Sequence, residues 1–127
     1  MEDAGLQPKQ KDSAILAALP YILGWIVGLL IYLIAKEDKY ARYHALQAIL
    51  FGICLSLATA VIILLGFVIY IPVFVVTFGL SNCIVIPLFF LLVFCLLAVN
   101  LYFAYLAYKG KAFMLPFIGK IALDHIE

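Results

Sequence analysis

From Tyr43 to Tyr108 the chain reads YHALQAILFGICLSLATAVIILLGFVIYIPVFVVTFGLSNCIVIPLFFLLVFCLLAVNLYFAYLAY, without one lysine, arginine, aspartate or glutamate. A helix needs roughly 20 apolar residues to cross about 30 Å of hydrocarbon, so this run has room for at least two crossings. A second charge-free stretch, Ser13 to Ala35, precedes it and has room for one. Hydrophobic residues make up 69% of the chain and charged residues 12%, against about 25% charged in soluble domains. The expectation is an all-α membrane protein: a disordered polar tail over residues 1–13, then a single helical membrane domain over 14–127.

Working outward from the long run, three transmembrane helices are expected at about residues 14–35, 43–70 and 84–108. The charged segment Lys36-Glu-Asp-Lys-Tyr-Ala-Arg42 joins the first two as a tight hairpin. Between 70 and 82 the pattern weakens, because Pro72 lacks a donor and Gly79-Leu-Ser-Asn82 is a turn signal. That segment reads as a kinked extension or interfacial loop, with a short fourth or re-entrant segment as the alternative. Behind Pro116, the residues Phe117, Ile118, Ile121, Ala122 and Ile126 oppose Lys120, Asp124 and Glu127. This predicts an amphipathic interfacial helix over about 114–126. A cleaved signal peptide does not fit the first apolar stretch, which exceeds the roughly 7–15 residues of such a segment and ends without a small-residue cleavage site.

Small residues recur at helical spacing on the first two helices. Gly24 and Gly28 form a GxxxG unit, and Ala45, Ala48, Gly52 and Ser56 continue a stripe on the second. Lipid tails are as apolar as leucine, so membrane helices associate where small residues let backbones approach. These faces predict close antiparallel packing. With three crossings, Lys36, Lys39 and Arg42 share a side with Lys109, Lys111 and Lys120, against Lys9 and Lys11 opposite. The basic excess puts the carboxyl terminus inside and the amino terminus outside a plasma membrane.

Candidates for chemistry stand at the edges of the apolar runs. His44 and Gln47 are three apart, hence neighbours on one helix face, beside Arg42. They suit headgroup binding, proton relay or pH sensing on one side, and a hydrogen bond to an adjoining loop or helix on the other. Asn100 lies at membrane depth, where polar side chains join helices or line a hydrated path. Lys36, Lys39, Lys109 and Lys111 are candidate headgroup contacts, or simple positive-inside anchors. Neither apolar run contains a carboxylate pair for proteolysis or ion coupling. Cys54, Cys83 and Cys95 have no metal-like spacing, and the only histidines are His44 and distant His125. No catalytic residue, metal site, cofactor or nucleic-acid partner is expected; the partners are the lipid bilayer and, through the small-residue faces, a second copy or other membrane proteins.

The order ALPYILGWIVGLLIYLIAKEDKYARYHALQAI, two further apolar stretches and a closing AYKGKAFMLPFIGKIA resembles a family of small membrane proteins of bacteria and archaea, similar to the Tic20-type subunit of the chloroplast inner-envelope translocon. The most specific matches are Arg42-Tyr-His44-Ala-x-Gln47 and Leu115-Pro116-x-Ile118-Gly119. The resemblance implies a four-helix membrane fold and, for the translocon relatives, a place in or beside a protein-conducting path. Three crossings do not enclose an aqueous pore, so channel activity would require an oligomer. The functional expectation is a non-enzymatic helical scaffold or interaction subunit, with an oligomeric transport component or an anionic-lipid-binding protein as alternatives.

Overall fold

A computed structural model describes residues 4–126. Among them are five helices: α1 (Lys11–Leu23), α2 (Trp25–Ile34), α3 (Lys39–Val76), α4 (Asn82–Tyr108) and α5 (Ile118–Asp124). The chain divides into two compact units, one of residues up to 53 together with those from 100 onward, the other of residues 54–99.

The first unit departs from the expected single helix over 14–35. Gly24 sits at φ 96° and ψ 173° and separates α1 from α2. Only glycine adopts that backbone without strain, and here it reverses the chain. The Lys9 Nζ donates to the Glu37 carbonyl at 3.3 Å, so the start of α1 and the end of α2 lie side by side. A Cβ placed on Gly28 would stand 3.4 Å from Cβ of Pro20, 3.1 Å from the Ala45 carbonyl oxygen and 3.1 Å from Cγ1 of Ile49. Thus α2 is wedged against both α1 and α3. At 13 and 10 residues and 1.5 Å per residue, α1 and α2 are about 20 and 15 Å long. Each falls short of the hydrocarbon thickness.

The helix expected over 43–70 begins earlier and ends later, as α3. Its start follows Asp38, whose Oδ1 accepts the Ala41 N–H at 3.1 Å, satisfying one of the donors that a helix start leaves open. Ala112, Phe113 and Leu115 are buried in the main core with Tyr21, Tyr40, Tyr43, Phe103 and Ala107. That packing replaces the long interfacial helix expected over 114–126. Only Ile118–Asp124 is helical, and the preceding segment spends its apolar side chains on the protein core. Phe117, at φ 66° and 87% exposed, points away from it.

The amino-terminal segment also differs from a disordered tail over 1–13, of which residues 1–3 lie outside the described part. The Ala4 N–H donates to the Ala112 carbonyl at 2.7 Å, Leu6 packs against the main core, and α1 starts at Lys11, ahead of the helix expected from about residue 14.

In the second unit α3 continues through Pro72 to Val76, a turn covers 77–81, and α4 begins at Asn82. The Thr77 hydroxyl donates to the Val73 carbonyl at 2.7 Å, and Gly79 at φ 82° closes the turn. The Tyr70 hydroxyl donates to Oδ1 of Asn82 across it. No fourth helix lies between 70 and 82; the segment that turns back on itself is residues 11–34 instead. The side chains of α3 and α4 in this unit are exposed and apolar almost throughout, and α3 and α4 are the two helices long and apolar enough to cross a bilayer.

Candidate functional site

Tyr40, Tyr43, His44 and Gln47 follow steps of three, one and three, which puts all four on one face of α3. That face is fully buried in the first unit: Tyr40 is 1% exposed, and Tyr43, His44 and Gln47 are 0%. Across from it stand Tyr21 of α1 and the segment leading into α5. The Tyr43 hydroxyl donates to the Phe113 carbonyl at 3.1 Å and the Tyr40 hydroxyl to the Ala107 carbonyl at 2.5 Å. Two tyrosines thereby bond carbonyls at the end of α4 and beyond it, the Ala107 carbonyl also accepting the Gly110 N–H at 3.1 Å.

The centre is a chain of three side chains. Nε2 of Gln47 donates to the Tyr21 hydroxyl at 3.2 Å, and that hydroxyl lies 3.3 Å from Nδ1 of His44. A phenol has one proton to give. Having accepted from Gln47, Tyr21 pairs all groups only by donating to Nδ1. Hydrogen-bond pairing therefore assigns the His44 proton to Nε2, which makes no bond of ordinary geometry; the Lys111 carbonyl is the backbone acceptor that interacts with the ring. Four aromatic rings enclose the imidazole, with centroids at 4.7 Å (Tyr40), 5.2 Å (Tyr43), 5.2 Å (Phe113) and 6.1 Å (Tyr21). Oε1 of Gln47 has no hydrogen-bond partner and faces Gly119, on which a Cβ would stand 3.2 Å from it.

The two most specific sequence matches thus meet in space. Neither His44 nor Gln47 is exposed, so neither meets a lipid headgroup directly. Their geometry performs another task, pinning the carboxyl-terminal segment onto α1 and α3. Arg42 stands apart from them, with its guanidinium 4.7 Å over the Tyr32 ring and Nη1 donating to the Lys36 carbonyl at 3.4 Å. It braces the turn that joins α2 to α3.

The remaining predicted residues separate. Gly28, Ala45, Ala48 and Gly52 lie where α2 or the main core approaches α3: a Cβ on Gly52 would meet Cβ of Trp25 at 2.7 Å, and Ala45 and Ala48 are buried. Gly24 does not act by close approach, since nothing lies within 4 Å of its missing Cβ; it breaks the helix. Ser56 falls in the second unit and is exposed. Asn100 is half-buried on α4, and Lys36, Lys39, Lys109 and Lys111 are exposed. Among the described residues no three His, Cys, Asp or Glu side chains come together. Sequence reasoning passed over Tyr21, Tyr40, Tyr43 and Phe113. The first three carried a usable signal: hydroxyls spaced to one helix face on α3, and a tyrosine inside an apolar stretch.

A sequence model described as the magnetosome magnetite crystal formation protein family matches residues 9–122, from just before α1 into α5. The chain belongs to that family. A UPF0132 membrane protein of Methanocaldococcus jannaschii is 38% identical over 117 residues, covering 91% of this chain and 90% of its own. A second UPF0132 membrane protein, of Archaeoglobus fulgidus, is 33% identical over 109 residues, covering 86% and 90%. No solved structure matches the chain. With two apolar helices of spanning length among the described residues, and relatives named as membrane proteins that it matches over nearly their whole length, this is a membrane protein of a prokaryotic family.

Proposed function

We propose that the protein is a non-enzymatic membrane scaffold with two spanning helices, which docks onto copies of itself or other proteins of the plasma membrane. The observation that carries this reading is the direction of its polar groups. The hydroxyls, imidazole and amide with chemical capacity turn inward onto one another and onto backbone carbonyls, while the long helices present apolar side chains outward. Purified protein that stays monomeric in mild detergent at all concentrations, with no membrane protein bound on isolation, would overturn the docking role.

The same reading reverses the side expected for the amino terminus. With Lys9 held against Glu37, the α1–α2 pair enters the membrane and returns, and α3 and α4 supply the two crossings. All eight basic residues, Lys9, Lys11, Lys36, Lys39, Arg42, Lys109, Lys111 and Lys120, then share one side, and the turn at 77–81 carries no charge on the other. The basic excess puts both termini in the cytoplasm. An impermeant thiol reagent is expected to label Cys83 in intact cells and a cysteine from Gln7→Cys only after lysis; labelling of the latter in intact cells would restore three crossings.

Magnetite crystal formation is what the family description states of its members. Here the reading rests on the inward polar cluster. A conducting path, which the translocon resemblance implies, needs several copies, since two spanning helices enclose no lumen.

A further inference from the structure

On the outside of the first unit, α1 and the last turns of α4 leave a groove of about 320 Å³, within the range of about 300–1,000 Å³ typical of ligand sites. Its floor is made shallow-walled by two alanines, Ala18 and Ala104, which are 7% and 4% exposed. Its sides are Ile15 and Ile22 from α1 and Leu101, Tyr105 and Tyr108 from α4, all about half exposed. From Leu101 to Tyr108 the helix rises about 10 Å, the length of a stretch of extended hydrocarbon chain.

One end of the groove is charged. The two helices run in opposite directions here, because Pro8 Cγ lies 3.2 Å from where a Cβ of Gly110 would stand and the Ala4 N–H bonds to Ala112. The start of α1 therefore meets the end of α4. Lys11 precedes Ile15 by four residues and Lys109 follows Tyr105 by four, which places each cation one turn beyond the lining residue on the same helix face. The Lys109 Nζ lies 5.6 Å from the centroid of the Tyr105 ring, itself a groove wall. Asp12 stands three residues before Ile15 and seven before Leu19, at the edge of the groove on the side of Leu16, which packs on Ala41 and Ala45. Lys11 lies nearer the centre of the groove face, and the two lysines outnumber this one carboxylate. An apolar trough that ends between two lysines is complementary to a molecule with one hydrocarbon chain laid along it and a negative head at its end.

We propose that this groove is a binding site for an anionic phospholipid, with one acyl chain between α1 and α4 and its phosphate between Lys11 and Lys109. The site rests on the reading above only in that α1 lies at membrane depth with its first turn at the interface; which side that interface faces does not enter.

The test is made on the full chain in neutral detergent, so that it does not depend on orientation. Protein is exposed to equal amounts of phosphatidylglycerol and phosphatidylcholine with matched acyl chains, and lipid retained per protein is read by native mass spectrometry. One lysine near an anionic group contributes about fivefold in affinity. Phosphatidylglycerol is expected to be retained in preference, the preference falling about fivefold in Lys109→Gln and vanishing in the Lys11→Gln/Lys109→Gln double variant. Lys36→Gln/Lys39→Gln is expected to leave it unchanged. Ala104→Leu fills the groove and is expected to abolish retention of both lipids; Tyr108→Ser, at a half-exposed wall that the core does not need, is expected to weaken both alike. Glycerol phosphate without acyl chains is expected not to compete. Equal retention of the two lipids, a preference that survives the double variant, or displacement by glycerol phosphate would each overturn the proposal.

Discussion

Gly119 faces Gln47 so closely that a Cβ on the glycine would stand 3.2 Å from Oε1 of the amide and 2.9 Å from Cα of Met114. The contact joins α5 to the buried face of α3. Since a backbone atom does not rotate aside, Gly119→Ala is expected to cost about 1–3 kcal/mol, as overpacking of a filled site does, and to lower the melting temperature in detergent. Gly66, in the middle of α3 with nothing within 4 Å of its missing Cβ, is the control: Gly66→Ala is expected to leave stability unchanged or raise it by about 0.5–1 kcal/mol through helix propensity. Equal destabilisation by both substitutions would remove the special role of the Gln47 contact.

Tyr21 is the middle member of the buried chain, so its hydroxyl is worth more than either end. Tyr21→Phe strands the Gln47 amide and His44 Nδ1 together, each an unpaired buried group costing about 1–3 kcal/mol. Gln47→Leu strands neither His44 nor the phenol, which still donates to Nδ1. The expected order of destabilisation is therefore Tyr21→Phe above Gln47→Leu. A double-mutant cycle between them is expected to show coupling above about 0.5 kcal/mol; strict additivity would mean that the 3.2 Å bond carries no energy.

Gly52 provides an optical test, because Trp25 is the single tryptophan of the chain and lies against it. Gly52→Ala pushes a methyl group into Cβ and Cδ1 of that residue, at 2.7 and 3.0 Å. The expected result is a loss of about 1–3 kcal/mol with a shift of tryptophan emission, as α2 backs away from α3. Unchanged emission would place the approach of the two helices elsewhere.

Arg42 braces the turn before α3 through a stacked ring and one carbonyl. Lysine supplies a charge but not a planar guanidinium, so Arg42→Lys is expected to lose most of the roughly 0.5–1 kcal/mol of such a stack. Local opening then frees the backbone around the already exposed Lys36 and Lys39 to enter a protease site, and limited trypsinolysis in the turn is expected to quicken several-fold, with cleavage elsewhere unaltered.

Two departures from the sequence expectation have one cause. Residues 14–35 contain no charge to mark a boundary, and Gly24 within GWIVG reads equally as a packing glycine or as a break; its positive φ is a property of the folded chain. Likewise Ala112 to Phe117 has the composition of a membrane-surface segment, and only the presence of Tyr21, Tyr43 and Phe103 around it makes burial in protein the better solution. By contrast the run from Tyr43 to Tyr108 was legible as two long helices, since hydrocarbon leaves an uncharged backbone no other way to satisfy its own donors and acceptors.

The amino-acid order alone therefore determined that this is a helical membrane protein, where its longest helices lie, and that Arg42, His44 and Gln47 stand where the charge stops. Tertiary structure decided what those residues do. Hydropathy acts on each segment separately and is written in composition. A hydrogen bond between Tyr21 and Gln47, or the closeness of Gln47 to Gly119, depends on side chains 26 and more residues apart, and the chain must turn back at Gly24 before they meet.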